Sequence, residues 1–131
     1  MPVTVEKLPD ERIVIVNYVG RVTPDEMDQA AAQIEALVQN VEPPIYRIGI
    51  GCDADVTFPD IVRLMPKVTF EKSAVSTRDT RFIDVAVLGD NRIARIAIDS
   101  LGQEQYGAAR FTLFADLDTA VAHARAELAR E

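Results

Sequence analysis

The sequence is short of reactive and cross-linking side chains: its 131 residues include one cysteine, one histidine and no tryptophan. Cys52 alone cannot form an intrachain disulfide, which points to a reducing compartment and a cytoplasmic protein of bacterial type. His123, with no partner near it in sequence, argues against a zinc site or a Cys-His catalytic pair. No apolar run is long enough to span a bilayer. The opening Met1-Pro2-Val3-Thr4-Val5-Glu6-Lys7 lacks the basic and apolar regions of a signal peptide. Positive charge is also scarce, 14 Lys and Arg against 21 Asp and Glu, for a net −7. That balance excludes bulk attraction to nucleic acid or anionic membrane. Repeats, low-complexity tracts and linkers are missing too, so residues 1–131 read as a single domain without membrane insertion.

What is present has the profile of a soluble globular protein, 48% hydrophobic and 27% charged. Val3–Leu8 and Arg12–Gly20 read as a hairpin around Pro9-Asp10-Glu11, and Ile13-Val14-Ile15-Val16 fits a strand buried on both faces. Thr23-Pro24-Asp25-Glu26 carries a capping box with proline at the first helical position. Met27, Ala30, Ala31, Ile34, Leu37 and Val38 then repeat at helical spacing until Asn40 and Pro43-Pro44 stop the helix. Ile45 to Ile50 reads as the central strand, and Gly51 to Asp60 as a loop at its carboxyl end, where function usually sits in open α/β sheets. Phe58, Ile61, Val62 and Met65 share a helical face that Pro66 should end or kink.

The polar stretch Glu71–Thr80 reads as a loop more mobile than its surroundings. Arg81–Gly89 is a third buried strand, and Asn91 to about Tyr106 suits a helix broken by Gly107. Arg110–Ala115 is a last strand, and Asp116 caps a helix facing inward with Leu117, Ala120, Val121, Ala124 and Leu128. The fold class is therefore α/β, in the order β-β-α-β-α-β-α-β-α. Successive β-α-β units imply a mostly parallel sheet with right-handed crossovers. If sequence neighbours are sheet neighbours, the helices lie largely on one face and the other is more polar. Alternation sets Ile83, Val85 and Val87 against Asp84, and Tyr46, Ile48 and Ile50 against Arg47. Arg47 and Asp84 should then pair on that less apolar face.

This order resembles the SpoIIAA-like fold of STAS domains and of STAS/SEC14-type small bacterial proteins. The pattern Val19-Gly20-x-x-Thr23-x-x-Glu26 and the run Val85-Ala86-Val87-Leu88-Gly89-Asp90-Asn91 carry the resemblance. So does Phe114-Ala115-Asp116-Leu117-Asp118-Thr119-Ala120, which is similar to the opening of the last helix in that group. Regulatory STAS domains present an Asp-Ser pair whose serine a partner kinase phosphorylates. Val56-Thr57-Phe58-Pro59-Asp60 matches the approach to that pair, but Ile61 stands where the serine would be. SEC14-type relatives imply an apolar ligand, which this departure leaves untouched.

The candidate sites follow from residue type. Asp53, Asp55 and Asp60 could hold a hard cation, but they lack the EF-hand pattern and suit helix capping better. Cys52 has acidic neighbours that disfavour a thiolate, so it reads as a buried structural thiol, and His123 as part of an exposed helical face. Gly49 and Gly51 make no phosphate loop, since a third glycine is missing and carboxylates follow. Arg63, Lys67, Lys72, Arg78 and Arg81 against Glu71 and Asp79 give a local +3 (5 − 2), read as a solvated loop rather than a site for an acidic partner.

Phe58, Leu64, Met65, Val68 and Phe70 exceed what one helical face can bury, which suggests a ligand pocket or a contact between two copies. The sequence thus leads to a non-enzymatic domain, without cofactor or metal, that binds a small apolar molecule or a protein partner. Asp53, Asp55, Thr57 and Asp60 mark the loop after its central strand. The alternative is a phosphorylation-controlled regulator resembling an anti-sigma factor antagonist.

Overall fold

The computed structural model describes residues 3–69, 73–103 and 110–130. The elements follow the expected order: β1 (Val3–Lys7), β2 (Ile13–Gly20), α1 (Pro24–Val38), β3 (Ile45–Ala54), α2 (Phe58–Thr69), β4 (Phe82–Val87), α3 (Arg92–Leu101), β5 (Phe111–Phe114) and α4 (Leu117–Leu128). The five strands lie in the order β1-β2-β3-β4-β5, with β1 antiparallel to β2 and all other neighbours parallel. Helix starts are set by short polar side chains: Thr23 accepts from the Glu26 amide, Asn91 from Ala94 and Asp116 from Thr119. The expected helical end at Tyr106 and the break at Gly107 lie outside the described residues.

One sheet face carries α1, α2 and α3. There Val14 and Val16 pack with Met27, Ala30, Ile34 and Val38 of α1, while Ala86 and Leu88 meet Ala94 of α3. Helix α4 covers the other face, where Ala120 and Ala124 sit on Ile13, Ile15, Tyr46, Ile48, Val85 and Val87. Small residues on α4 let the helix approach the sheet closely. Arg125 of α4 also reaches the β1–β2 turn, where Glu11 accepts from Nε at 2.7 Å and from Nη2 at 3.1 Å.

Three expectations are corrected. Arg47 and Asp84 do stand opposite each other in register, but on the face beneath three helices rather than on a polar outer face. Gly49 and Ala86 beside them are too small to fill that face, so long side chains from neighbouring positions fold into the space. Second, β3 runs on to Ala54: relative to β2 it gains one residue between the pairs Asn17–Ile50 and Val19–Asp53, a bulge that keeps it in the sheet past Gly51. The Asn91 amide closes that end, donating to Gly51 O and Ala54 O, each at 2.8 Å. Third, of the two effects expected of Pro66 the ending does not occur: α2 continues to Thr69, whose hydroxyl donates to Met65 O at 2.6 Å.

Candidate functional site

Gly49 and Gly51 are two apart on a strand, so both point their missing side chains at the same face. A Cβ at Gly51 would come within 3.1 Å of Leu88 Cδ2, a tight approach to which that leucine would have to yield. At Gly49 a Cβ would meet only Tyr18 Cε2 at 3.7 Å and Val85 O at 4.0 Å, ordinary contacts. The floor of the sheet is thus bare where α2 and α3 cross it, and a cavity of about 200 Å³ remains. Ile61, Leu64, Met65 and Val68 of α2 and Ala94, Ala97, Ile98 and Leu101 of α3 form its walls. Met27 of α1, Val16, Leu88 and Phe111 complete an almost wholly apolar lining. Ile61, Leu64, Ala97 and Ile98 are only half-buried, which places the mouth between α2 and α3.

Tyr18, Arg47, Thr77 and Asp84 interrupt this lining. Arg47 Nε donates to Asp84 Oδ1 at 2.7 Å, and its other nitrogens donate to Ala74 O at 2.7 Å and Ser76 O at 3.1 Å. The guanidinium lies 4.6 Å over the Phe82 ring. Both side chains of the pair are about nine-tenths buried. A buried arginine is stable here because a carboxylate and two carbonyls replace its water. Burial pushes the Tyr18 phenol up to about 12, with Arg47 and Asp84 close enough to pull it in opposite directions.

The segment expected to be a mobile loop is, over 73–80, fastened to this site. Ala74, Val75 and Ser76 are buried, and the Thr77 amide and hydroxyl both donate to Val68 O, at 2.7 and 2.9 Å. Among the described residues, the basic run does not form a free cationic surface. Arg81 pairs with Asp79 and Glu35, each at 2.7 Å, Arg78 donates to Thr69 O, and Arg63 approaches Asp60 at 3.6 Å. The side chain of Lys67, with all of Lys72, lies outside the described residues.

Of the residues chosen from sequence, Leu64, Met65 and Val68 line the cavity. Phe58 does not: it is 59% exposed, and Val62, one turn on, is 72% exposed. Phe70 lies outside the described residues. Asp53 and Asp55 are exposed, Asp60 is buried, and among the described residues no three acidic, His or Cys side chains form a metal-binding group. Asp60 is a helix-capping acid: the Thr57 amide donates to its Oδ2 at 3.1 Å, and its own amide donates to the Thr57 hydroxyl at 3.3 Å. The Thr57 bonds hold its carboxyl below the usual range, helped by Arg21 and Arg63.

Cys52 is exposed rather than buried, because β4 pairing ends at Ile50–Val87 and β3 projects beyond it. His123 is not on a free helical face. It packs against the rings of Phe114 and Tyr46, with centroids at 4.9 and 6.1 Å. Reasoning from sequence missed Tyr18, Ala97 and Ile98 as cavity residues, and treated the two glycines only as a failed phosphate loop. Paired glycines in a strand were the available signal, since they mark a close approach or a bare face.

No family profile and no curated protein matches the chain. Several solved structures match its shape, two of which are informative here. An uncharacterised DUF3478-family protein with a SpoIIAA-like fold from Shewanella loihica PV-4 is 14% identical, with a TM-score of 0.55 over 93% of this chain and 91% of its own. An anti-sigma factor antagonist from Mycobacterium paratuberculosis is 21% identical, with a TM-score of 0.51 over 94% of this chain and 92% of its own. Among the described residues no helix is long and apolar enough to cross a membrane. The expected sheet order, helix order and near-complete coverage by both structures agree: the chain has the SpoIIAA-like fold.

Proposed function

We propose that this protein is a non-enzymatic cytoplasmic binding domain that takes up a small apolar molecule between α2, α3 and the sheet. The observation that carries this reading is the cavity itself. At about 200 Å³ it exceeds the ~150 Å³ hole that accepts benzene and falls short of the ~300 Å³ at which drug-sized pockets begin. A molecule of one or two rings, or a medium acyl chain, matches that volume. Cavity walls of leucine, isoleucine and valine supply burial without directional demands. The loop after the central strand caps α2 through Thr57 and Asp60 and adds Val56 to the cavity lining.

Native mass spectrometry of protein purified without organic extraction, with uptake of an apolar fluorescent probe, tests this reading. The expected result is a retained small molecule or saturable probe uptake that Leu64→Ser weakens. A ligand-free protein that takes up no probe would sink it.

A second reading rests on a different observation. Phe58 and Val62 lie one turn apart on the outer side of α2, both exposed. They suit a protein partner or a second copy, as the alternative of an antagonist-like regulator requires. A phosphate on Thr57 would meet the Asp60 carboxylate already bonded there, so the phosphorylation branch of that alternative gains no support from this geometry.

A further inference from the structure

The cavity is apolar except at one end, and the polar groups there are unequally used. Arg47 is committed to Asp84 Oδ1, Ala74 O and Ser76 O. The Thr77 hydroxyl already donates to Val68 O. Among the described residues, nothing hydrogen-bonds Asp84 Oδ2 or the Tyr18 hydroxyl, although both residues line the cavity. One carboxylate oxygen therefore lacks a donor, and one phenol lacks any partner, beside an otherwise greasy space. Neither atom is among the fully enclosed unpaired ones, which among the described residues are Asn17 Oδ1, Glu26 Oε2 and Ser73 Oγ, so a ligand group can reach both from the cavity.

Charge narrows what can pair with them. Among the described residues, Arg47 and Asp84 are the only charged ones in the lining, and they cancel each other. An ionised ligand head would add an uncompensated charge in a buried place. An ether or a hydrocarbon would leave Asp84 Oδ2 without a donor. A hydroxyl is the smallest uncharged group that donates and accepts at once.

We infer that the molecule bound here is an uncharged alcohol or phenol with an apolar body, its hydroxyl donating to Asp84 Oδ2 and accepting from the Tyr18 hydroxyl. This rests on the cavity-binding reading above and deepens it. Leu64, Val68, Ala97 and Ile98 take the apolar body, and the Arg47 bond to Oδ1 holds the Asp84 carboxylate in place with Oδ2 left for the hydroxyl.

The test compares four probes of one shape on the unaltered protein by calorimetry: naphthalene, 1-methoxynaphthalene, 1-naphthol and 1-naphthoate. 1-Naphthol is expected to bind tightest, about tenfold better than the methyl ether, which accepts but cannot donate. Tyr18→Phe should then shrink the preference for 1-naphthol over naphthalene. If the ether equals the naphthol, or the naphthoate binds tightest, the inference is overturned while cavity binding survives. If none of the four binds, both fall.

Discussion

Cutting the buried ion pair is the sharpest test of how the site is built. A cross-strand charge pair on a sheet surface is worth about 0.2–1 kcal/mol. Arg47 and Asp84 instead sit under three helices with side chains 8% and 11% exposed. Arg47→Met strands the Asp84 carboxylate and removes the donors of Ala74 O and Ser76 O. The stranded charge alone should cost about 3–5 kcal/mol, a large share of the ~5–15 kcal/mol that holds a domain together. Asp84→Leu should cost nearly as much, since the guanidinium keeps only its carbonyl partners. The double variant restores charge balance but leaves two buried carbonyls unpaired, at about 1–3 kcal/mol each. It should therefore be less destabilised than the sum of the singles by at least ~2 kcal/mol. Urea unfolding of all four proteins, with the slope checked for constancy, measures this coupling. Singles costing under ~1 kcal/mol, or strictly additive effects, would show that water reaches the pair and that the reasoning about burial is wrong.

Three further outcomes follow from other parts of the site. Gly49→Val should abolish probe uptake while changing stability by less than about 1 kcal/mol, because its branches enter empty space and strands favour valine; unfolding curves and probe titration check both halves. Tyr18 should contribute stability below pH ~10 that is lost as pH rises toward 12, since the unfolded phenol ionises first; in Tyr18→Phe this alkaline loss should shrink, and an unchanged curve above pH 10 would count against the buried placement. Asp60, held below its ordinary range by its Thr57 bonds, stabilises the fold above pH ~4 and loses that effect as pH falls; Asp60→Asn should flatten the acid limb of a thermal-stability profile.

Much of this was legible from residue pattern. Period-3.6 apolar spacing located α1 and α4, and the caps at Thr23 and Asp116 were chemical statements that the backbone had to honour. The Arg47–Asp84 pairing followed from alternation together with the assumption that successive strands are neighbours. What alternation could not say was which face the helices would choose, because both faces of β2, β3 and β4 are apolar enough to be covered. The pocket was half legible. An excess of apolar residues on α2 was visible, but which of them turn inward depends on where that helix lies against the sheet. Hence Leu64, Met65 and Val68 turn toward the cavity while Phe58 faces outward. Glu71–Thr80 read as solvated because its side chains are polar, yet over 73–80 its backbone carbonyls are what Arg47 binds. Composition of side chains does not record that use of the main chain.

The order of the strands in the sheet has a consequence for how the chain assembles. Every strand from β2 onward pairs with the one made just before it. A chain growing from its N-terminus thus offers each new strand a finished edge, and none has to be threaded between strands already joined. Each parallel pairing closes over one helical crossover, as from Ile13 to Tyr46 and from Ile45 to Phe82, rather than over the whole chain. The Glu11–Arg125 ion pair bridges 114 residues and ties the first turn to the last helix.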